Sequence, residues 1–425
     1  MPREIDASGL DLAAWIRPGD TVSWSHATGE PRTLTEALVQ QRHRIGKFRV
    51  FLNTCFSKTL RPEHSDAMEF FGMGAVGFNR EFCKAGVLDV IPCHLSDIPK
   101  LLSRGLLKVD VMFVQLSEDD TGCLSFGVAD AHISSLMQHA RVVIAEVNAA
   151  MPWTYGGSEI LRESIDVIVR TDRPVVEVPG RQPTSNDMMI ADYIVPLISN
   201  GAVLQVGIGT LPNAVLSGLG GHRDLGIHSG VIGDNVLTDL IERGVVTNAT
   251  KHIDRGVTVT GALFGTSRLY EYANRNPALR VEPVEYTHNL ATLARFESFV
   301  TLNGAVEVDL TGQVNGESAG REYLGTIGGQ TDFIRGALAS PRGRSIVALP
   351  STTEKGGSSR IVAQIGAGVT TTARADADTF VTEYGVAELR GCTIRERVRK
   401  MIGIAHPEHR DRLEVAAREQ IAGYA

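Results

Sequence analysis

Short apolar runs of four to eight residues recur along the chain, separated by glycine-bearing turns and amphipathic stretches. In the first half, Thr21–Ser25, Phe48–Leu52, Val87–Ile91, Val109–Leu116 and Val142–Val147 read as buried strands. Leu34–Gln41 and Ala129–Gln138 read as helices between them, and residues 10–20 as a short helix stopped by Pro18-Gly19-Asp20. The second half repeats the alternation. Its strand candidates are Ala202–Val206, Leu225–His228, Val257–Leu263, Phe299–Asn303, Ser345–Leu349 and Thr379–Thr382, with helices over Met188–Leu197 and Leu211–Leu219. Apolar strands alternating with helices predict an α/β fold, each domain a mainly parallel sheet covered on both faces. Three prolines between Pro174 and Ser185 read as a surface connector, which places a domain boundary after Asp187 and divides the chain into residues 1–187 and 188–425.

Composition narrows the class. A chain of 425 residues is too long for one core, so two domains are expected. A formal charge of −7 without a Lys/Arg block argues against nucleic acid as a partner. No run approaches the roughly 20 apolar residues of a membrane span, and the acid-bearing start MPREIDASGLD lacks the apolar segment of a signal peptide. A cytoplasmic protein is expected. The five cysteines lack metal-ligand spacing and read as free thiols. Cys93 and His94, being neighbours, point to opposite faces of a strand and do not share a metal. Glu118, Asp119 and Asp120 read as a solvated turn opening a hairpin. No metal site is expected.

Chemistry first shows between Ala202 and Asp239. The strand ending at Val206 meets Gly207-Ile208-Gly209, where glycines let backbone N–H groups approach a ligand at the start of a helix. Leu225–His228 ends in a second small-residue turn, Ser229-Gly230. Two such strand-end turns are what an open α/β sheet uses to build a site for a polar or anionic group. The spacing departs from the dinucleotide fingerprint, since Leu211-Pro212 stands where a third glycine is needed.

Several blocks then occur in order: NGAVEVDLTG (Asn303–Gly312), QVNGES (Gln313–Ser318), GTIGGQTDFIRG (Gly325–Gly336), ALPSTTEKGGSSRIV (Ala348–Val362) and VTEYGVAELRGCTIR (Val381–Arg395). With Gln205–Gly209, Leu225–His228, His94–Ile98, Glu146–Asn148 and Met151-Pro152, they cover nearly the whole chain. The chain thereby resembles the acetyl-CoA hydrolase/transferase family, which includes 4-hydroxybutyrate, butyryl and succinyl-CoA:acetate CoA-transferases.

The resemblance implies two CoA-transferase-like α/β domains in tandem with the site between them. It also implies a coenzyme A thioester as substrate, with no permanently bound cofactor, and a carboxylate acceptor. A homodimer or homotetramer is common in such folds. In the family a glutamate two residues after the Gly-Ile-His strand attacks the thioester and relays CoA covalently. Here that position is Gly230, which has no nucleophile. Asp234 is shorter and set farther along the turn, so it is a poor substitute. Other positions match the family: Asn289 near the reacting carbonyl, Gly329 as backbone donor to the thioester oxygen, and Glu383 as the second site glutamate. Gly207, Gly209 and Gly328, with Lys355, Gly356, Gly357 and Arg360, suit oxyanion or CoA contacts, whereas Glu317, Glu307 and Asp309 suit loop-tying roles.

Three functions fit this set. One is acyl-CoA hydrolysis, with Glu383 or His228 activating water; its variant is hydrolytic carbon–carbon cleavage of a β-keto or cyclic acyl-CoA. The second is CoA transfer by direct attack of an acceptor carboxylate or a relocated acid. The third is CoA-ester binding without turnover.

Overall fold

The computed structural model describes residues 2–157, 159–233, 235–353, 357–366 and 368–424. The chain divides into two compact units. The first holds Met1–Pro179, Gly230–Asn235 and Val257–His288, and the second holds Gly180–Ser229, Val236–Gly256 and Asn289–Ala425. The two contiguous halves expected from the sequence are therefore replaced by interleaved segments, and the first break falls at Pro179 rather than after Asp187. The reason is local. Thr184 and Asp187 form a capping box that starts the helix Ser185–Ile194, which belongs with the strands after it. The later segment is held in the first unit by backbone bridges pairing Ala129 with Ala262 and Ala131 with Pro283.

In the first unit, β1 (Arg3–Glu4), β2 (Thr21–Trp24), β3 (Phe48–Leu52), β4 (Met68–Gly72), β5 (Leu88–Val90), β6 (Val111–Glu118), β7 (Leu124–Ser125), β8 (Val142–Asn148) and β9 (Val167–Thr171) form one sheet. Its order is β1-β9-β8-β6-β2-β3-β4-β5, parallel throughout, with β7 antiparallel to β6. That last pair is the hairpin expected at the acidic turn. The sheet is buried on both faces because alternate residues feed two cores. Val111 and Phe113 join Trp24, Leu34 and Leu38 beneath α1 (Arg32–Ile45), while Met112 and Val114 join Phe51, Ile133 and Leu136 beneath α2 (Ile133–His139).

In the second unit, α3 (Ser185–Ile194) precedes β10 (Val203–Val206), α4 (Thr210–Gly218) and β11 (Gly226–Ser229). β12 (Phe299–Gly304), α5 (Gln330–Ala339), β13 (Arg344–Ala348), β14 (Thr379–Thr382), β15 (Gly385–Glu388) and α6 (Ile394–Gly403) come after them. The strands run β11-β10-β12-β13-β14-β15. Leu204 pairs with Ile227, Val206 with Leu302 and Ala348 with Val381, all in parallel register, and only β15 is antiparallel. One core packs Val203, Phe296, Phe299, Phe333 and Ala337; the other packs Val347, Phe380, Val398 and Met401. Five parallel strands therefore end on one edge. Among the described residues, no helix is long and apolar enough to cross a membrane.

Candidate active site at the carboxyl ends of the second sheet

Parallel strands deliver their exit turns to a common edge, where open α/β sheets bind ligands. Here those are Gly207–Gly209 after β10, Ser229 ending β11, Gly304 ending β12, Ser351 after β13 and Glu383 after β14; Gly230, next in the chain after Ser229, opens a segment of the first unit.

Gly207 and Gly209 have open space where a side chain would begin, and Gly209 adopts φ +124°, so the turn leaves room at the start of α4. At the neighbouring strand, Ser229 Oγ donates to the Val206 carbonyl at 2.9 Å, tying the two exits together. His228 is fully buried with its ring 5.0 Å from that of Phe296. The Ile227 N–H donates to Asn248 Oδ1 at 2.8 Å, and the buried Lys251 Nζ donates to the Ile227 carbonyl at 3.0 Å. This backbone is held from every side, and then Gly230, half-buried, adds no side chain.

The centre of the edge is built from amides. Asn303 Nδ2 donates to Gln205 Oε1 at 3.3 Å, and Gln330 Nε2 donates to the Gly304 carbonyl at 3.2 Å. Gly329 is the N-cap of α5, which places the N-terminus of a ten-residue helix over the end of β12. Gly328 before it takes φ +55°, a conformation that favours glycine. Asn289 caps the short helix Leu290–Leu293, its Oδ1 accepting the Ala291 N–H at 2.9 Å and the Thr292 N–H at 3.3 Å. Leu293 packs against Phe333 and Ala337 of α5, so Asn289 and Gly329 are carried on elements that pack together.

Glu383 lies on the far side. Its carboxylate is 7% exposed and accepts the Ser351 N–H at 2.9 Å and the Ser351 hydroxyl at 2.7 Å. Three strands separate β11 from β14, so Glu383 and the His228–Ser229 exit are not neighbours along the sheet. Glu317, 3% exposed, accepts the Thr371 hydroxyl at 2.7 Å and the Tyr323 hydroxyl at 2.8 Å. Asp309 Oδ1 accepts the Thr311 and Gln313 N–H groups at 2.9 and 3.0 Å. Both acids tie loops, as does Glu307, which accepts from Asn315 Nδ2 at 2.9 Å. Arg360 donates its backbone N–H to the Ser351 carbonyl at 2.8 Å, and Gly357 is exposed. Lys355, Gly356 and Asp234 lie outside the described residues.

The residue pattern brought Gly329, Asn289 and Glu383 to this unit but gave no sign of the Gln205–Asn303 and Gln330–Gly304 contacts or the Ser351 clamp. Each is a pairing between segments far apart in sequence, which no local pattern encodes.

Models of the acetyl-CoA hydrolase/transferase N-terminal and C-terminal domains match residues 7–179 and 265–417. The 4-hydroxybutyrate coenzyme A transferase of Clostridium kluyveri is 38% identical over 396 residues, 92% of each chain. The acetyl-CoA hydrolase of Eremothecium gossypii is 34% identical, the match covering 94% of this chain and 86% of that one. The crystal structure of RipA from Yersinia pestis superposes with a TM-score of 0.91 at 35% identity, covering 98% of this chain and 97% of that one. An enzyme fold, an edge lined with turn glycines and amides, and matches of this extent lead to one assignment: the chain belongs to the acetyl-CoA hydrolase/transferase family.

Proposed function

We propose that the protein hydrolyses an acyl-CoA thioester, water taking the place of the glutamate that the family uses as nucleophile. The observation that carries this reading is Gly230, which comes after a rigidly held strand end with no side chain to attack a carbonyl. In this reading the backbone N–H of Gly329, with Asn289, receives charge on the thioester oxygen; such donors need no reorganisation as the oxyanion forms. Gly207, Gly209 and Gly328 give the substrate close approach to backbone, and residues 355–360 bind CoA. Glu383 takes the proton from a water on its own side of the edge, while the lack of a side chain at Gly230 removes the covalent route. The full burial of His228 against Phe296 favours Glu383 over His228 for that task and leaves His228 to hold the strand end. The space left at position 230 admits acyl groups bulkier than acetate.

A second reading, CoA transfer to a carboxylate acceptor, is supported by the relatives, several of which are named CoA-transferases. It needs direct attack by the acceptor or an acid elsewhere, since Gly230 cannot form the anhydride. Mass spectrometry of products from a panel of acyl-CoAs, with and without acetate, separates the two. Free acid and CoA formed without acetate support hydrolysis. Acetyl-CoA formed only with acetate supports transfer. A shortened or ring-opened product still joined to CoA supports the carbon–carbon variant, and tight binding without turnover supports a silent binding protein.

A further inference from the structure

Both oxygens of the Glu383 carboxylate take donors from a single residue, Ser351, through its N–H at 2.9 Å and its hydroxyl at 2.7 Å. The two residues are 32 positions apart and leave adjacent strands, β13 and β14. Ser351 is in turn fixed by the residues after it. Its carbonyl accepts the Arg360 N–H at 2.8 Å, Thr352 bridges Ser359 in antiparallel fashion, and Thr353 N–H donates to the Ser358 carbonyl at 2.9 Å. Residues 351–353 and 358–360 thus pair with each other, with Ser351 and Arg360 at the base of the pairing. The Arg360 carbonyl accepts the Val308 N–H at 2.9 Å, and Ile361–Val362 continues alongside Glu307–Asp309, which anchors that base to the body of the unit.

A glutamate side chain in a strand-end turn has several rotamers of similar energy, and a proton acceptor misplaced by about 1 Å loses on the order of 100-fold in rate. The two-point grip on Glu383 removes that freedom. Ser351 is wholly buried, so its hydroxyl is shielded and acts through Glu383 rather than on a substrate. We propose that Ser351 is a positioning residue that fixes the Glu383 carboxylate and couples its orientation to the paired segments 351–353 and 358–360. This rests on the reading of Glu383 as proton acceptor.

A double-mutant cycle tests it, using kcat and KM for the best acyl-CoA of the panel in wild type, Ser351→Ala, Glu383→Gln and the double variant. Ser351→Ala is expected to lower kcat by about tenfold or more with KM changed less than about twofold, as for loss of an interaction felt at the chemical step. The double variant is expected to be no slower than Glu383→Gln alone. Wild-type kcat in Ser351→Ala overturns the inference, and so does an equal loss when the change is made in the Glu383→Gln background, which marks a packing effect. If Ser351→Ala does not fold, Ser351→Cys keeps the volume while weakening the donor, and wild-type kcat in that variant overturns it equally. A Glu383→Gln enzyme with wild-type kcat sinks the proton-acceptor reading itself. A slow Glu383→Gln beside a normal Ser351→Ala sinks only the positioning role.

Discussion

Gly230 sits at the end of a strand whose four residues are all buried and whose last hydroxyl is bonded to the next strand. A glutamate there puts an acid back at the position where the family carries its nucleophile. Gly230→Glu is therefore expected to introduce acetate-dependent CoA transfer at least about tenfold above wild type, read as acetyl-CoA formed from an acyl-CoA. A folded, CoA-binding Gly230→Glu protein with no gain contradicts the reading of this position. Glu383→Gln is expected to lower kcat about 10²–10⁴-fold, the range for loss of a general base, measured under saturating acyl-CoA. At this scale the sequence speaks through residue identity in a block, and the roles proposed for Gly230, Gly329 and Glu383 are read from it. Ser351 stands in one of those blocks, yet its importance comes from a bond across 32 residues, which composition and spacing do not contain.

Elements were legible where apolar runs were continuous, and less so elsewhere. β3, β10 and β14 lie within a residue of their expected limits because β-branched and aromatic residues dominate them. β4 carries Glu69 between apolar neighbours, and β9 gives way to Arg170 and Thr171, so neither stands out as a buried run. Helix α6 is hidden in the sequence despite a Thr393–Glu396 capping box, since its many arginines mask a narrow apolar stripe through Val398 and Met401. Glycine also marks close approach between elements. A Cβ built on Gly325 falls 2.2 Å from the Gly316 carbonyl oxygen, beside the loop that leads to Gly329. Gly325→Ala forces that contact apart and is expected to cost about 1–3 kcal/mol, measurable as a lowered urea midpoint, together with a loss of activity. Unchanged stability and rate contradict the close approach.

For the whole molecule, what the sequence conveyed was the α/β class and two units. What it withheld was their interleaving, because Val257–His288 joins the first unit through backbone bridges, and Ile232 and Gly233 pair with Leu263 and Phe264 of that segment, none of which is a local signal. The first unit also sets a pH dependence. Burial lowers the pKa of His288 to about 3 and that of His26 to about 4, and holds His132 well below its ordinary value. Unfolding restores values near 6.5, so between pH 6.5 and about 4 the unfolded chain binds more protons and stability falls as pH falls, by up to about 1.4 kcal/mol per group per pH unit. Burial raises Glu30 and Glu146, which opposes this just above pH 4.5 because the folded state there takes up protons first. Three buried histidines act across the whole interval, so a net loss of stability on acidification from pH 6.5 to 4.5 is expected in urea titrations, with a shallower slope in His288→Gln. A flat or rising profile contradicts it.

The measurement that bears most directly on the central claim is a turnover in ¹⁸O-labelled water, with acetate present or absent, and mass spectrometry of both products and protein. Water attack at an edge without a nucleophile predicts acetate-independent release of CoA, one labelled oxygen in the freed acid, and no acyl or CoA adduct on any side-chain carboxylate. Acetyl-CoA formed only when acetate is present, with no label in the freed acid, or an adduct trapped on an acidic residue, would contradict it.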